Sequence, residues 1–318
     1  MLRCSAKDKD SERTAIVRKK SSSRAMAFFC RWTFPSGSDK VLEESFTEDW
    51  SKDEMKKSAL FFDIDGTVLS EITKEVPQSA ADALEEARRA GHLIFINTGR
   101  TVCSIPSEIR RLRFDGYLCG CGTCLLYGDE VLFSRSLSKE RGQEIIRKMM
   151  ECDMSGIAEG HDDVYFPSRI SRFDGLESTR RYFRSRGMGM EQPMENGGFI
   201  YDKLFVYRDE RSDFDAFLSF IEKDMEAIDR GDNTYEVIQK GYSKATACEF
   251  ILEKLGISRE QAYVFGDSSN DLAMFQFADH AVAMGKHDPV LDPYTEFVTS
   301  TVEDDGIARA LRHYGLIG

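Results

Sequence analysis

Apolar residues recur along this chain in short unbroken runs, each ending abruptly in polar residues and followed by a stretch of helical spacing. The run Ala59-Leu60-Phe61-Phe62 opens this pattern and stops at Asp63. A run of that kind, bounded by a turn signal, predicts a strand buried on both faces. Further strands are predicted over 92–97, 262–265, 280–284 and 297–300. Helical periodicity predicts helices over 79–90, 104–112, 244–255, 271–277 and 306–314. Gly91 and Gly256 stand where helix C-termini need them, and Ser243 stands as an N-cap. Strand, helix, strand, helix is the alternation of an α/β, doubly wound parallel sheet.

The pattern changes in the middle of the chain. Segments 125–127 and 131–134 flank Gly128-Asp129 and read as a β-hairpin. A helix over 138–151 follows, then short strands near Ile157 and Tyr165 and a basic helix over 176–186. A strand over 203–207, a helix over 214–228 and a strand over 235–239 complete the block. It reads as an inserted α+β domain spanning 137–239, with a discontinuous core domain built from 55–136 and 240–318. Residues 1–54 are charged and Ser-rich without period, a composition of disorder. Met55-Lys56-Lys57 leads into the first strand as a native N-terminus would. An upstream-start artefact and a real tail both remain open for 1–54.

Composition narrows the function. The chain has 318 residues, 41% of them hydrophobic, enough for a sizeable core. A net charge of −12 argues against the broad basic surface of a nucleic-acid binder. No apolar run approaches the roughly 20 residues of a membrane span, and no segment reads as a convincing secretory signal. The eight Cys form no framework. Reduced thiols in a cytoplasmic protein are expected. Oligomeric state is left open.

The chemistry-bearing residues gather at predicted strand ends, where ligands bind in open α/β sheets. Asp63 and Asp65 are two apart, so both can serve one site. One carboxylate can attack phosphorus, and the other can protonate a leaving oxygen and then activate water. Gly66 lets the backbone pass close to a ligand, and Thr67 offers a hydroxyl. A plain Asp-Gly turn or helix cap is the alternative. Asp267, Asn270 and Asp271 follow another apolar strand, and hard oxygen ligands there suit Mg²⁺. An acidic helix N-terminus explains Asp271 but not the whole group. Thr98-Gly99-Arg100 can hold phosphoryl oxygens. Lys244 begins a helix, where the dipole disfavours a cation, so an anionic partner is expected; a lone solvated Lys is the plain alternative.

Taken in order, Asp63-Ile64-Asp65-Gly66-Thr67, Thr98, Lys244 and Gly266-Asp267-Ser268-Ser269-Asn270-Asp271 resemble the four motifs of the haloacid dehalogenase (HAD) superfamily of phosphohydrolases. The resemblance covers about residues 55–318. Ala281-Val282-Ala283-Met284-Gly285 and Glu303-Asp304-Asp305-Gly306-Ile307-Ala308 resemble the Cof-like subfamily, whose α/β cap lies where the inserted block falls. The resemblance implies Asp63 as nucleophile and Asp65 as general acid/base. It implies Mg²⁺ on Asp63, the Asp65 backbone carbonyl and Asp267, with Asp271 in support. Thr98 and Lys244 would hold the phosphoryl group, Lys244 also offsetting the charge of Asp63, with Gly99, Arg100 and Asn270 as further substrate-binding candidates. Dehalogenases and phosphonatases of the superfamily lack the second acid, so Asp65 favours phosphate ester hydrolysis. The expectation is a Mg²⁺-dependent phosphatase of a small phosphorylated metabolite, a sugar phosphate or cofactor phosphate. A phosphosugar mutase and an idle phosphometabolite-binding module are the rivals.

The match departs from the family at Cys119-Gly120-Cys121-Gly122-Thr123-Cys124, where an Asn-Gly-Ala-like turn is common. Losing that Asn near the cap hinge is expected to alter substrate contact. Cys119, Cys121, Cys124 and Cys103 echo metal-ligand spacing, but small residues at a hinge account better for them. The helix bearing Arg180, Arg181, Arg184 and Arg186 is either a solvated face or an attractor for phosphorylated substrates. Tyr201-Asp202-Lys203 begins a cap strand within reach of the site.

Overall fold

The structure is a computed structural model and describes residues 57–318. The readings made for residues 1–54 lie outside the described residues. In chain order the elements are β1 (Ala59–Phe62), α1 (Gln78–Arg89), β2 (Leu93–Asn97), α2 (Ser107–Arg110), β3 (Gly116–Cys119), β4 (Cys124–Tyr127) and β5 (Glu130–Ser134). Then come α3 (Lys139–Glu151), β6 (Ser155–Glu159), β7 (Val164–Tyr165), α4 (Asp174–Arg184), β8 (Lys203–Tyr207), α5 (Phe214–Ile221), β9 (Met225–Asp229) and β10 (Thr234–Gln239). The chain closes with α6 (Lys244–Leu255), β11 (Ala262–Gly266), α7 (Leu272–Phe277), β12 (His280–Ala283), β13 (Phe297–Val298) and α8 (Gly306–His313).

The first sheet has eight strands in the order β13-β12-β11-β1-β2-β3-β4-β5. From β13 to β3 neighbours are parallel; β4 and β5 add an antiparallel edge. The two-residue period of a strand explains why β1 is apolar throughout. Leu60 and Phe62 join the core beneath α1 and α8, whereas Ala59 and Phe61 join the core beneath α6 and α7. All four are fully buried. The doubly wound parallel sheet expected from the alternation is therefore what the chain forms. α6 keeps its expected bounds. Ser243 accepts from Thr246 N–H in a capping box, and Gly256 ends the helix at φ 67°.

The inserted α+β unit has a second sheet of five strands, β7-β6-β8-β10-β9, antiparallel at every pairing. On one face Leu204, Val206 and Val237 pack with Ile145, Ile146 and Met149 of α3 and Phe217 and Ile221 of α5. The other face carries Glu159, Lys203, Phe205, Tyr207 and Glu236, all of which line a cavity shared with Asp63 and Asp65. Helix α4 borders that second face, with Leu176 and Phe183 packed on Ile157.

Two local expectations are corrected, and one strand is added. The helix over 104–112 is a 3-10 turn at Val102–Ser104 and the short α2, because Pro106 lacks an N–H and forces Ile105 extended. The helix over 214–228 ends at Ile221. Residues 225–229 instead pair antiparallel with β10, so cross-strand hydrogen bonding wins over local periodicity. Strand β3 went unread because Gly116 and Tyr117 interrupt its apolar run; it is fixed by pairing with β2 and β4.

Candidate active site

The site begins where β1 stops. Asp63 N–H donates to Phe265 O on β11 at 3.0 Å, which carries the residue to the C-terminal mouth of the sheet. The chain then turns tightly, with Val68 and Leu69 N–H both donating to Ile64 O. Gly66 sits at φ 80°, and a Cβ there would lie 2.4 Å from Asp267 Oδ2. Glycine is required on both counts. Thr67 Oγ1 donates to Asp267 Oδ1 at 3.0 Å, tying the first loop to the loop after β11.

Lys244 is the first residue of α6 and its side chain has no exposure. Its Nζ lies 2.8 Å from Asp63 Oδ1 and 2.6 Å from Asp271 Oδ1. The anionic partners expected for a cation at a helix N-terminus are thus two carboxylates from different strands' loops. Burial alone would favour the neutral amine, but Asp271 and Asp63 outweigh it and hold Lys244 protonated. Asp271 Oδ2 accepts from Asp267 and Ser268 N–H, each at 2.9 Å. Both Asp271 oxygens are therefore committed within the protein.

Asp63, Asp267 and Asp271 each offer an oxygen within 4.8 Å of the others. Three carboxylates there face the single ammonium of Lys244. Burial, with Asp271 and Asp65 adding to it against Lys244, raises Asp63 to about 7. Burial, then Asp271 and Asp63, raise Asp267 to about 8. With Asp271 committed to Lys244 and the loop N–H groups, the Asp63 and Asp267 oxygens are the donors that fit a hard divalent cation, which would relieve the crowding of charge.

The Asp65 carboxylate lies outside that trio. Arg100 grips it bidentately, Nε to Oδ2 at 2.6 Å and Nη2 to Oδ1 at 2.9 Å. Burial pushes the Asp65 pKa up, but Arg100 outweighs it and holds the carboxyl below the usual range. Arg100 Nη1 also donates to Ser104 O at 3.0 Å, fixing its plane. Thr98 is buried beside it, its Oγ1 accepting from Arg100 N–H at 3.1 Å. A Cβ on Gly99 would meet Glu236 Oε1 at 2.5 Å, so the second unit approaches this turn closely.

The inserted unit completes the cavity. Glu236 accepts from Lys203 Nζ, from Asn270 Nδ2 at 3.1 Å and from Cys121 Sγ at 3.5 Å. Burial opposes its charge, but Lys203 and Arg230 prevail and lower its pKa to about 2. Asn270 thus touches the inserted unit directly. Arg230 Nη1 donates to Ser268 Oγ at 3.3 Å, and Ser269 Oγ donates to Asp229 O at 2.9 Å. The cavity has a volume of about 600 Å³ and is lined by Asp63, Asp65, Thr98, Gly99, Arg100 and Asn270 on one side. Lys203 is the part of Tyr201-Asp202-Lys203 that reaches it. Asp202 instead accepts from Ser136, and Tyr201 donates to Gly142 O at 2.8 Å.

Arg186 lines the cavity and stacks on Tyr182 at 3.7 Å. Arg180 is buried on Glu177 and Pro167 O, and Arg181 and Arg184 are exposed, so the basic helix is mixed in role. Among the described residues the thiols meet separate partners. Cys121 faces Glu236, Cys124 lies 3.7 Å from His161 Nδ1, and Cys103 donates to Gly160 O. Among the described residues, Asp63, Asp267 and Asp271 are the cluster able to hold an ion. Glu159, Arg230 and Glu236 were not read from the sequence. A signal exists at Glu236 alone, a lone charge within the apolar and aromatic run Tyr235-Glu236-Val237-Ile238 of β10.

The family model of haloacid dehalogenase-like hydrolases matches residues 60–311. The chain belongs to the haloacid dehalogenase-like hydrolase family. Its HAD relatives include a 5-amino-6-(5-phospho-D-ribitylamino)uracil phosphatase of Bacillus subtilis, 25% identical over 80% of this chain and 94% of the relative. Another is a phosphoglycolate phosphatase of Methanothermobacter thermautotrophicus, 25% identical over 80% of this chain and 98% of the relative. Among solved structures, a HAD subclass IIB sugar phosphatase is similar at 25% identity and a TM-score of 0.70. That match covers 82% of this chain and 100% of the neighbour. Family, relatives and neighbour together make this chain a HAD-type phosphatase. No helix among the described residues is long and apolar enough to cross a membrane.

Proposed function

We propose that this chain is a magnesium-dependent phosphatase of a small phosphorylated metabolite, working through a phosphorylated Asp63. The observation that carries the reading is the Lys244 ammonium 2.8 Å from the Asp63 carboxylate at the foot of a cavity shared with Asp65, Thr98 and Arg100. An anionic nucleophile approaches an anionic phosphate only where fixed positive charge offsets the repulsion. Lys244 supplies that charge, and Thr98 and Asn270 offer hydrogen bonds to the phosphoryl oxygens. Asp63, Asp267 and the Asp65 carbonyl would hold magnesium, with Asp271 orienting Lys244. When bound, the ion neutralises charge on the transferring group.

Asp65 takes two roles in turn. As acid it protonates the leaving oxygen, and as base it removes a proton from the attacking water. Paired with Arg100 it is ionised, which suits the second role. For the first it must leave Arg100, and an incoming phosphoryl group gives Arg100 another anion to grip. The cavity is covered by the inserted unit, which favours small substrates over macromolecules and excludes water. The named substrates of the relatives differ among themselves, and all are small phosphate esters.

The test is phosphate release from p-nitrophenyl phosphate. Turnover is expected with Mg²⁺, none after chelation by EDTA, and recovery on adding Mg²⁺ back. Undiminished turnover in EDTA would overturn the metal-dependent reading. A mutase would isomerise a sugar phosphate without releasing phosphate, and an idle module would do neither.

A pH dependence follows from the crowded carboxylates. Asp63 and Asp267 titrate higher when folded, to about 7 and about 8, than unfolded Asp at 3.8. Between those values the folded protein holds more protons, so their contribution to stability falls as pH rises. A divalent cation replaces those protons. The rise in melting temperature on adding Mg²⁺ to the cation-free protein should therefore be larger at pH 8 than at pH 6. Equal rises at both pH values would contradict this assignment.

A further inference from the structure

The turn between β9 and β10 carries a cation into the site. Arg230 N–H donates to Thr234 O at 3.0 Å, and Thr234 N–H donates to Gly231 O at 2.9 Å, closing a tight hairpin. Gly231, Asp232 and Asn233 stand at φ 81°, 49° and 58°, a left-handed run that Gly, Asp and Asn accept. Asp229 Oδ1 accepts from Gly231 N–H at 2.8 Å and stiffens the turn. The turn rests on the loop that follows β11, where Ser269 Oγ donates to Asp229 O at 2.9 Å. Arg230 is thus held where the inserted unit meets the loop of Asp267 and Asp271.

Three cations of the site are already paired. Lys244 holds Asp63 and Asp271, Arg100 holds Asp65, and Lys203 holds Glu236 and Glu159. Lys74 and Arg186 line the cavity but are exposed to solvent. Arg230 is half-buried, lines the same cavity and forms no ion pair among the described residues. Its side chain donates once, from Nη1 to Ser268 Oγ at 3.3 Å. Burial opposes its charge, but Glu236, Asp63 and Asp271 outweigh that cost and hold it protonated. A guanidinium keeps its charge at any working pH and presents a planar fork of N–H donors. One that faces a cavity without a carboxylate to grip calls for an anion.

We infer that Arg230 is a catalytic residue supplied by the inserted unit, its guanidinium meeting the oxygens of the phosphoryl group as that group passes to and from Asp63. This rests on the phosphatase reading of the Asp63 site. In the first step the bond from Asp63 to phosphorus forms, the bond from phosphorus to the leaving oxygen breaks, and that oxygen takes a proton from Asp65. In the second step water attacks phosphorus, its proton goes to Asp65, and inorganic phosphate leaves Asp63. Arg230 neither gives nor takes a proton in either step. It offsets negative charge on the transferring oxygens, which Lys244 cannot do alone while it bridges Asp63 and Asp271. Because Arg230 belongs to the inserted unit, the site is complete only when that unit is closed over it.

The experiment follows phosphate release by the full chain with Mg²⁺ from p-nitrophenyl phosphate and from acetyl phosphate, whose leaving groups differ. Arg230→Ala should lower kcat by about 10³-fold for both, the scale of an arginine on a transferring phosphoryl group, with KM changed by less than about threefold. Inhibition by orthovanadate, which takes up the five-coordinate geometry of the transfer, should weaken by at least about tenfold more than inhibition by inorganic phosphate. Guanidinium ions, at concentrations that leave the parent's rate unchanged, should restore part of the turnover of Arg230→Ala. An Arg230 that only latches the loop of Asp267 through Ser268 gives a different result: a loss recovered by excess Mg²⁺, equal weakening of both inhibitors and no rescue. That result overturns the inference, as does a fall in kcat of less than about tenfold or a fall confined to one compound. Circular dichroism melting identifies an Arg230→Ala that fails to fold. Arg230→Lys, which keeps the charge without the fork, then carries the test, and a loss in its kcat of less than about tenfold overturns the inference. All of these overturning results leave the phosphatase reading standing. No release by the parent from either compound overturns both.

Discussion

Asp63→Asn should reduce kcat for p-nitrophenyl phosphate by at least about 10⁴-fold, the scale seen when a nucleophile is removed from its catalytic unit. The substitution keeps the shape of the side chain and removes its charge. An amide oxygen is a poor nucleophile toward phosphorus, so the first displacement has no attacking group. The fold should persist. Asp63 is one of three crowded carboxylates, and burial already disfavours its ionised form. Neutralising it lessens the repulsion on Asp267, so the melting temperature of the cation-free variant should not fall below that of the parent. A variant that melts normally and keeps more than about a hundredth of the activity would sink the covalent mechanism.

Lys244→Met should damage both activity and stability. The lysine is wholly buried between Asp63 and Asp271. Methionine fills similar space and leaves both carboxylates without their ammonium. Removing one partner of a buried ion pair costs about 3–5 kcal/mol. For a chain of this size that corresponds to a fall in melting temperature on the order of 10 °C. The loss should be greater at pH 8 than at pH 6, because proton uptake by the carboxylates substitutes for the missing charge at the lower pH. Turnover should fall by about 10³-fold or more, since a fixed charge aimed at the transferring group is gone. Melting within a degree or two of the parent at pH 8 would show that Lys244 does not hold the site together. Arginine is no rescue, because a planar guanidinium does not fit a fully enclosed ammonium site.

Much of the site was legible because its residues sit at the ends of locally coded elements. The apolar run 59–62 marks a strand end at Asp63, and 262–265 marks another before Asp267. Helix α6 was read to the residue, since Ser243 and Gly256 cap it by local chemistry. Its start places Lys244. The roles of Gly66 and Gly266 were less legible, because each is required by a side chain elsewhere. A Cβ on Gly66 would strike Asp267, and one on Gly266 would lie 2.5 Å from Asp271 Cγ. The bidentate Arg100–Asp65 pair was also invisible, as nothing in Thr98-Gly99-Arg100 points to a partner 35 positions earlier.

The inserted unit shows where local reading stops. Residues 225–229 have helical spacing but form β9, because Tyr235 to Gln239 offer them a ladder. Glu159 and Glu236 are separated by most of that unit, yet both meet Lys203 through the register of β6, β8 and β10. By itself the sequence determined the strand ends, the helix caps and the order of acids, hydroxyl and lysine along the chain. These depend on periodicity and turn chemistry within a few residues. Only the tertiary structure decided which oxygens Lys244 holds, that Arg100 grips Asp65, and that Glu159, Lys203 and Glu236 share one cavity with Asp63. Those depend on distances between strands remote in sequence, which packing fixes and local pattern does not encode.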